Sequence, residues 1–367
     1  MFLDGITIKY KYHENFVYSN FIIYNKHDFL CKKKGMSKTM ETIINFIYYS
    51  VRAGTPLLLG TTGETITEKS GSLNLGVEGM MAIGAIVGYY FACLTSSLTL
   101  GLLSSFIAGL LGALIFAVIT VTFQANQNVT GLALTIFGVG FYKFMGRSLI
   151  NNNTYPMLAD NSKLSQAIAD NGIPFLRDIP IIGKLLFSYN IFVYLAIIIA
   201  ILSWVYIAKT KTGLRMRAIG ESPSAADACG VNVDLQKYLN ILFGGGLCGI
   251  GGFYLGIVTN GGSWNDNWIN GMGWISVALV IFAGWNPLKA ILGSFIFGML
   301  NTLQSWKGNL SVEFPNVLGW LSNIPVEVFQ LLPYFITALV LTIASIRKRS
   351  SNKQPAACGI NYYREER

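Results

Sequence analysis

From Ser72 to Tyr142 the chain carries a single charged residue, Glu78. Soluble domains hold about one charged residue in four, so a run this bare is built for lipid. A membrane span takes about 20 apolar residues. The run therefore holds three spans, near 73–94, 98–123 and 129–145. The polar stretch from Gln124 to Asn128 separates the last two, and Lys143 and Arg147 close the run. Spans of this kind are helices, because lipid offers backbone groups no partner outside their own segment.

The rest of the chain agrees. Its 367 residues are 52% hydrophobic and 12% charged, with a mean hydropathy of +0.49, and 39 glycines suit close helix contacts in lipid. We expect an all-α polytopic helix bundle of about 8–10 spans, some short or re-entrant. A first span begins at Thr42 and contains Arg52 and Pro56. A charge in mid-membrane costs about 2.5–3.5 kcal/mol, so Arg52 should face protein, water or an interface. A polar break with Glu64, Glu68 and Lys69 follows. Further spans read at 185–208, 238–258 and 328–346. Between them, 273–283 and 288–304 are short and joined by Gly284-Trp285-Asn286-Pro287, as in two short helices or a re-entrant pair. The loop at 151–186 balances its charges and is placed outside. Arg347, Lys348 and Arg349 mark a cytoplasmic end to the last span. Five spans before the basic cluster at 209–217 put the chain's start outside, whereas Lys32–Lys34 argue for inside. A broken span near 63–79 would also restore parity.

Residues 1–35 differ from the remainder, with crowded Tyr, Asn, Lys, Phe and Ile and no cleavage site. We expect a non-native extension with translation starting at Met36, the alternative being a disordered basic tail. Residues 36–349 then form the membrane domain, and 350–367 a cytoplasmic tail. The net charge of +9 reflects Lys and Arg beside apolar spans, the topological pattern, and not a nucleic-acid surface. Five cysteines without a CxxC pair and two histidines confined to the N-terminal tail imply neither disulfide framework nor metal site.

Two polar features interrupt the apolar body. The stretch 212–233, within a charged segment at 209–233, contains a miniature helix marked at both ends. Ser222 is a good N-cap, Pro223 fits the first helical position, alanines follow, and Gly230 suits a left-handed C-terminal position. A helix this short falls below the roughly 12–15 residues that persist alone in water. It must dock on something. Lys209, Lys211, Arg215 and Arg217 place it on the cytoplasmic face, where a soluble partner is the functional reading and a plain surface helix the bland one. The second feature is the Asn74/Glu78 pair, four apart and so on one helical face, with Gly76, Gly79 and Gly84 allowing close helix approach. An ionisable residue in an apolar run is a candidate pathway residue, and the bland reading is a hydrogen bond to a neighbouring helix. Gln124, Asn126, Asn128 and Thr130 offer amides and a hydroxyl suited to a neutral polar solute. The aromatics at Trp264–Trp274 fit an outer interfacial belt, or a surface receiving a binding protein.

No phosphate loop, HExxH or nucleophile elbow is present. The chain is therefore not expected to be an enzyme, and energy must come from elsewhere.

These residues together resemble the permease subunits of bacterial ABC importers for branched-chain amino acids, ribose and nucleosides. GTTGETITEKSGSLNLGVEGMMAIGA at 60–85 and TGLRMRAIGESPSAADACGVNV at 212–233 carry the likeness, and 273–287 is similar to a third family string. The resemblance is strongest to nucleoside permeases that work with a lipoprotein receptor. It implies an importer subunit in the bacterial cell membrane. The partners would be ABC ATPase subunits that bind the ATP, a second identical or homologous permease, an extracytoplasmic substrate-binding lipoprotein and the bilayer. No cofactor belongs to this chain. The 222–230 helix would be the coupling helix, with Gly213, Arg215, Arg217, Ala218, Gly220, Glu221, Ser222, Pro223, Ala225, Ala226 and Gly230 forming the ATPase contact. Ser224 stands where the general importer loop has Glu, so Glu221 or Asp227 would supply the acidic group. Ribose or another simple sugar and branched-chain amino acids are the alternative cargoes. A stand-alone secondary transporter or channel is the rival class.

Overall fold

The computed structural model describes residues 38–151, 181–259, 266–347 and 353–363, together with isolated positions between them. Every regular element among them is helical. The proposed extension at 1–35, most of the 151–186 loop, and Trp264 lie outside the described residues.

Helix α1 (Lys38–Lys69) runs unbroken for 32 residues through what the sequence presents as a span followed by a polar break. The break is buried helix instead. Most of its polar side chains find partners inside the bundle, which offsets the cost of placing them in an apolar surround, while Thr62 Oγ1 and Glu64 Oε2 are buried without a hydrogen bond. Thr61 donates to the Ser276 carbonyl (3.1 Å), and Thr65 and Thr67 donate back to the carbonyls of Thr61 and Gly63. Glu64 accepts the Asn74 N–H (3.0 Å), and Glu68 accepts the indole N–H of Trp285. Arg52 is half-buried over the rings of Tyr48 and Tyr49, where its charge meets aromatic faces.

Helices α2 (Val77–Thr95), α3 (Leu98–Ala117) and α4 (Gln127–Asn151) follow, α3 ending in a π-helical turn at Val118–Thr122. Helix α5 (Ile191–Lys209) leads into the short α6 (Lys211–Glu221) and α7 (Pro223–Ala228). Helix α8 (Val233–Tyr254) then threads the centre of the bundle, buried at every residue from Gly244 to Tyr254. It lies against α1, α2 and α3 through glycines. A Cβ on Gly252 would collide with the Met81 carbonyl, one on Gly84 with Gly249, and one on Gly109 with the Gly245 carbonyl. The close approach expected at Gly79 also occurs, against Leu134 and Gly138 of α4. Backbones this near exclude lipid and let dispersion and weak polar contacts act over a long seam.

Helix α9 (Met272–Ala283) has 12 residues, about 18 Å, half a membrane thickness. It stops at Gly284 in the left-handed region (φ 60°). The following α10 (Pro287–Glu313) spans 27 residues and corrects the short helix read at 288–304. Hydropathy falls after Gln304, yet the helix continues because its polar residues find partners: Lys307 donates to the Ile324 carbonyl (2.8 Å) and lies over the ring of Phe329. Of this pair, α9 is a half-span and α10 is not. A short turn of helix, α11 (Pro315–Leu318), and a 3₁₀ turn precede α12 (Val326–Arg347).

The ends of α1 orient the bundle. At one end Gly220 of α6 abuts the Lys69 carbonyl; at the other, Lys38 pairs with Glu313 (3.9 Å). Lys38 therefore lies on the face opposite 212–233, in keeping with five crossings between them. Several helices are long and apolar enough to cross a membrane, and the chain is a multi-pass membrane protein.

Candidate functional site

The exposed end of the bundle carries α6 and α7. Thr210 caps α6 by accepting the Gly213 N–H (2.9 Å). Met216, Ile219 and Gly220 recur at helical spacing and are buried, leaving Arg215, Arg217, Ala218 and Glu221 exposed on the other side. Gly213 is buried where a side chain would strike the Tyr206 carbonyl. In α7 the Ser222 hydroxyl accepts the Ala225 N–H (3.4 Å), and Pro223 occupies the first position. At the far end Gly230 takes φ 78°. Its N–H reaches the Asp227 carbonyl (2.8 Å) while the Val231 N–H reaches Ala226 (3.1 Å), the paired bonds of a Schellman stop. Ala226 is buried with Ile219, Val231 and Val233, whereas Ser224, Ala225 and Ala228 face out. The two adjacent alanines thus have different surroundings: Ala226 fastens the helix, and Ala225 is presented.

The second polar group lies inside the bundle. Asn74 and Glu78 do not share a helical face, because α2 begins only at Val77. Asn74 instead closes a turn, its Oδ1 accepting the Gly76 N–H (2.8 Å). That local bond competes with helix, as asparagine side chains do. Glu78 spans to α9: its two carboxylate oxygens accept the N–H groups of Gly271 (2.8 Å) and Gly273 (2.7 Å). A carboxylate at the start of α9 satisfies bare amides and complements the helix dipole. Beside it is a cavity of about 100 Å³ lined by Glu78, Tyr142, Lys143, Asp266, Asn267 and Asn270 among others. Asp266 at its rim pairs with Arg147. Between the lining residues Asn267 and Ile269, Trp268 is buried against Tyr89 and Tyr142. Trp268 is thus a packing residue and not part of an interfacial belt, its ring enclosed by partners before it reaches lipid.

Gln124, Asn126, Asn128 and Thr130 are not brought together with Glu78. They lie at the start of α4, on the end that carries α7. Asn126 caps α4 by accepting the Val129 N–H (3.1 Å), Thr130 bonds back to Asn126 (2.9 Å), and Asn128 is exposed. Gln124, at φ 53°, donates to the Tyr362 carbonyl (3.1 Å). Gln127 accepts the Leu73 N–H (2.7 Å) and donates to Asn361 (3.0 Å). Sequence reasoning did not single out Asn361 and Tyr362, nor Asn267 and Asn270. An apolar run at 355–360 followed by the adjacent Tyr362 and Tyr363, in an otherwise polar tail, was the available signal for the first pair, and the second left none.

The family described as "Branched-chain amino acid transport system / permease component" matches residues 46–341. The nucleoside ABC transporter permease protein NupC of Lactococcus lactis is 32% identical over 338 residues, covering 89% of this chain and 98% of that one. The guanosine ABC transporter permease protein NupQ of Bacillus subtilis is 32% identical over 295 residues, 78% of this chain and 88% of its own. TsgC13 of Haloferax volcanii, whose name assigns it provisionally to a glucose ABC transporter, is 32% identical over 336 residues, 86% and 96% of the two chains. No solved structure matches.

Proposed function

Because this chain belongs to the branched-chain amino acid transport system permease family, a group of membrane transport subunits, we propose that it forms half of the pore of an ATP-driven importer. Its cargo is a nucleoside or a similar small polar solute. The observation that carries this reading is α7, a six-residue helix fixed at both ends and presented on the exposed end of the bundle. A helix so short gains rigidity only from its caps and its buried face. Those features make it a stiff contact through which a partner's motion can be passed on. The partner is an ABC ATPase subunit pair, which binds the ATP. Arg215, Arg217, Ala218, Glu221 and Ala225 form the exposed contact. Gly213, Gly220, Ser222, Pro223, Ala226 and Gly230 hold its shape. This end is the cytoplasmic one, so Lys38 starts outside, and 36–349 is the permease domain.

An importer permease must present two access states with different affinities for its partners, since a ligand that binds both equally shifts nothing. Ile219, Ala226 and Val233 join α6, α7 and the start of α8 in one apolar cluster. Displacement of α7 therefore bears on α8, and α8 bears on α1, α2 and α3 through the glycine seam. Glu78 holds the half-helix α9 at the inner end of the cavity. Its part in the pathway is to keep the amide-lined wall of Asn267 and Asn270 in position for a solute delivered by an extracytoplasmic lipoprotein. A second permease, identical or homologous, completes the pore. The name of TsgC13 favours a second reading in which the cargo is a simple sugar.

Uptake competition decides the cargo. Labelled guanosine or uridine carried by cells with the whole system should be displaced by nucleosides and not by glucose or ribose; the reverse order would install the sugar reading. Co-purification with an ATPase supports the coupling. Solute movement by the purified chain alone in liposomes would overturn it.

A further inference from the structure

The segment at 353–363, beyond the last span, is not loose. It returns across the exposed end of the bundle and joins three elements that are far apart in sequence. The Ala357 N–H donates to the Gly220 carbonyl of α6 (2.8 Å), and the Gly359 N–H to the Gly71 carbonyl after α1 (3.4 Å). Asn361 then fits between helices: its Nδ2 donates to the carbonyls of Gln124 and Ala125 (3.1 Å to the latter), while its Oδ1 accepts from Gln127 (3.0 Å). Gln127 in turn grips Leu73, at the entrance to α2. Tyr362 completes the bridge. Its ring packs with the apolar cluster under α7, and its hydroxyl donates to Asp227 of α7 (2.8 Å).

The geometry points to Asn361 and Tyr362 as positioning residues: the C-terminal segment straps the coupling helix to the α1–α2 turn and to the start of α4, so that α7 and the pore mouth move together. This rests on the coupling reading above and extends it. A short helix anchored only through Ala226 and its caps can pivot when a partner pushes it. Two adjacent side chains, Tyr362 held at Asp227 and Asn361 held at Gln124, Ala125 and Gln127, remove that freedom. A strap of this kind is not needed for the chain to insert or for the ATPase to turn over. What it governs is the fraction of each ATPase stroke that reaches the pore.

Cys358 lies inside the strap and reports its docking. Burial pushes its thiol up to about 12, so a docked Cys358 holds little thiolate at neutral pH. Cys229, at the end of α7, is exposed and serves as an internal reference. The experiment uses the full importer in detergent and in proteoliposomes, with Asn361→Ala, Tyr362→Ala and the milder Tyr362→Phe. Maleimide labelling resolved by peptide mass spectrometry should show Cys358 reacting at least 10-fold faster in Tyr362→Ala while Cys229 changes little. The ATP hydrolysed per solute imported should rise several-fold in both alanine variants, with unchanged KM for solute and unchanged thermal midpoint. Tyr362→Phe, which keeps the ring and loses only the bond to Asp227, should lie between them and the wild type. Cys358 labelling that does not change overturns the docking, and faster labelling with an unchanged ratio overturns the positioning role. Ala225→Asp separates the two layers. Uptake lost in Ala225→Asp but undiminished in the strap variants removes the strap alone, whereas uptake that survives Ala225→Asp removes the coupling reading beneath it.

Discussion

The seam around α8 and the face around α7 hold themselves together by opposite means. In the seam, backbone meets backbone, and specificity comes from the absence of side chains at Gly84, Gly109, Gly249 and Gly252. On the face, order comes from hydrogen bonds at element ends: Thr210, Ser222 and Asn232 cap three successive helices, and Gly230 stops one of them. The seam gains from many contacts and tolerates no added atom. The face rests on a handful of bonds, each worth about 1 kcal/mol, and can be adjusted one residue at a time. That division suits a machine in which a rigid body must be moved by a small and exchangeable contact. Substitutions at the two places should therefore fail in different ways.

The largest effect belongs to the seam. Gly252→Leu drives a side chain into the Met81 carbonyl, which cannot yield by changing rotamer. Overpacking costs about 1–3 kcal/mol where side chains can shift, and more where backbone opposes it. The expected result is loss of monodisperse protein in detergent, read by fluorescence-detected size exclusion. A well-folded Gly252→Leu variant would mean that α8 is free to slide, and the contrast between seam and face would lapse.

Glu78→Ala comes next. It strips the acceptors from two helix-starting amides in the membrane interior, at about 1–3 kcal/mol for each N–H left bare. The thermal midpoint should fall clearly, and Glu78→Gln, which keeps one carbonyl acceptor, should recover part of it. Solute uptake should track the midpoint across the pair. Were Glu78→Gln as stable as wild type yet unable to transport, the carboxylate would be acting on solute and not on α9.

Gly230→Ala is milder. A left-handed residue with a Cβ costs about 1–2 kcal/mol. Because α7 is a small exposed element, the global midpoint should move little while uptake falls several-fold as the helix end frays. Ser222→Ala, losing its cap at about 1 kcal/mol, should resemble it. Equal loss of midpoint and uptake in either variant would place α7 within the cooperative body of the fold.

Much of this contrast was legible in residue order. The charge-free run announced lipid-facing helices, and the Ser222-Pro223 start and Gly230 stop announced α7, because caps are local chemistry that needs no tertiary partner. What escaped depended on distant partners. Glu64 and Glu68 look like a polar break until Asn74 and Trp285 arrive to bond them. Trp268 resembles a belt residue until Tyr89 and Tyr142 enclose it. The tail looks idle until Gln124 and Asp227 receive it. Asn74 was misread for a local reason: its own side chain offers the backbone a turn, and that turn outcompetes an earlier helix start.

Ala225 of α7 gives the smallest change in stability, and its buried neighbour Ala226 gives the sharpest comparison. Ala225 is exposed and Ala226 is buried beneath the helix, so the same substitution asks two questions one residue apart. Ala226→Asp forces a carboxylate among Ile219, Val231 and Val233, and should loosen α7 from the bundle and lower the midpoint. Ala225→Asp meets only solvent in the isolated chain and should leave the midpoint within about 0.5 kcal/mol of wild type. Against an ATPase groove the same charge would be buried without a partner, so uptake should drop at least 10-fold with the permease still inserted. Measuring both variants for midpoint, ATPase association and uptake separates a face that folds from a face that is read. If Ala225→Asp transports normally, α7 is only a surface helix, and the exposed end of the bundle must receive its partner elsewhere, with the basic flank of Arg215 and Arg217 as the next place to substitute.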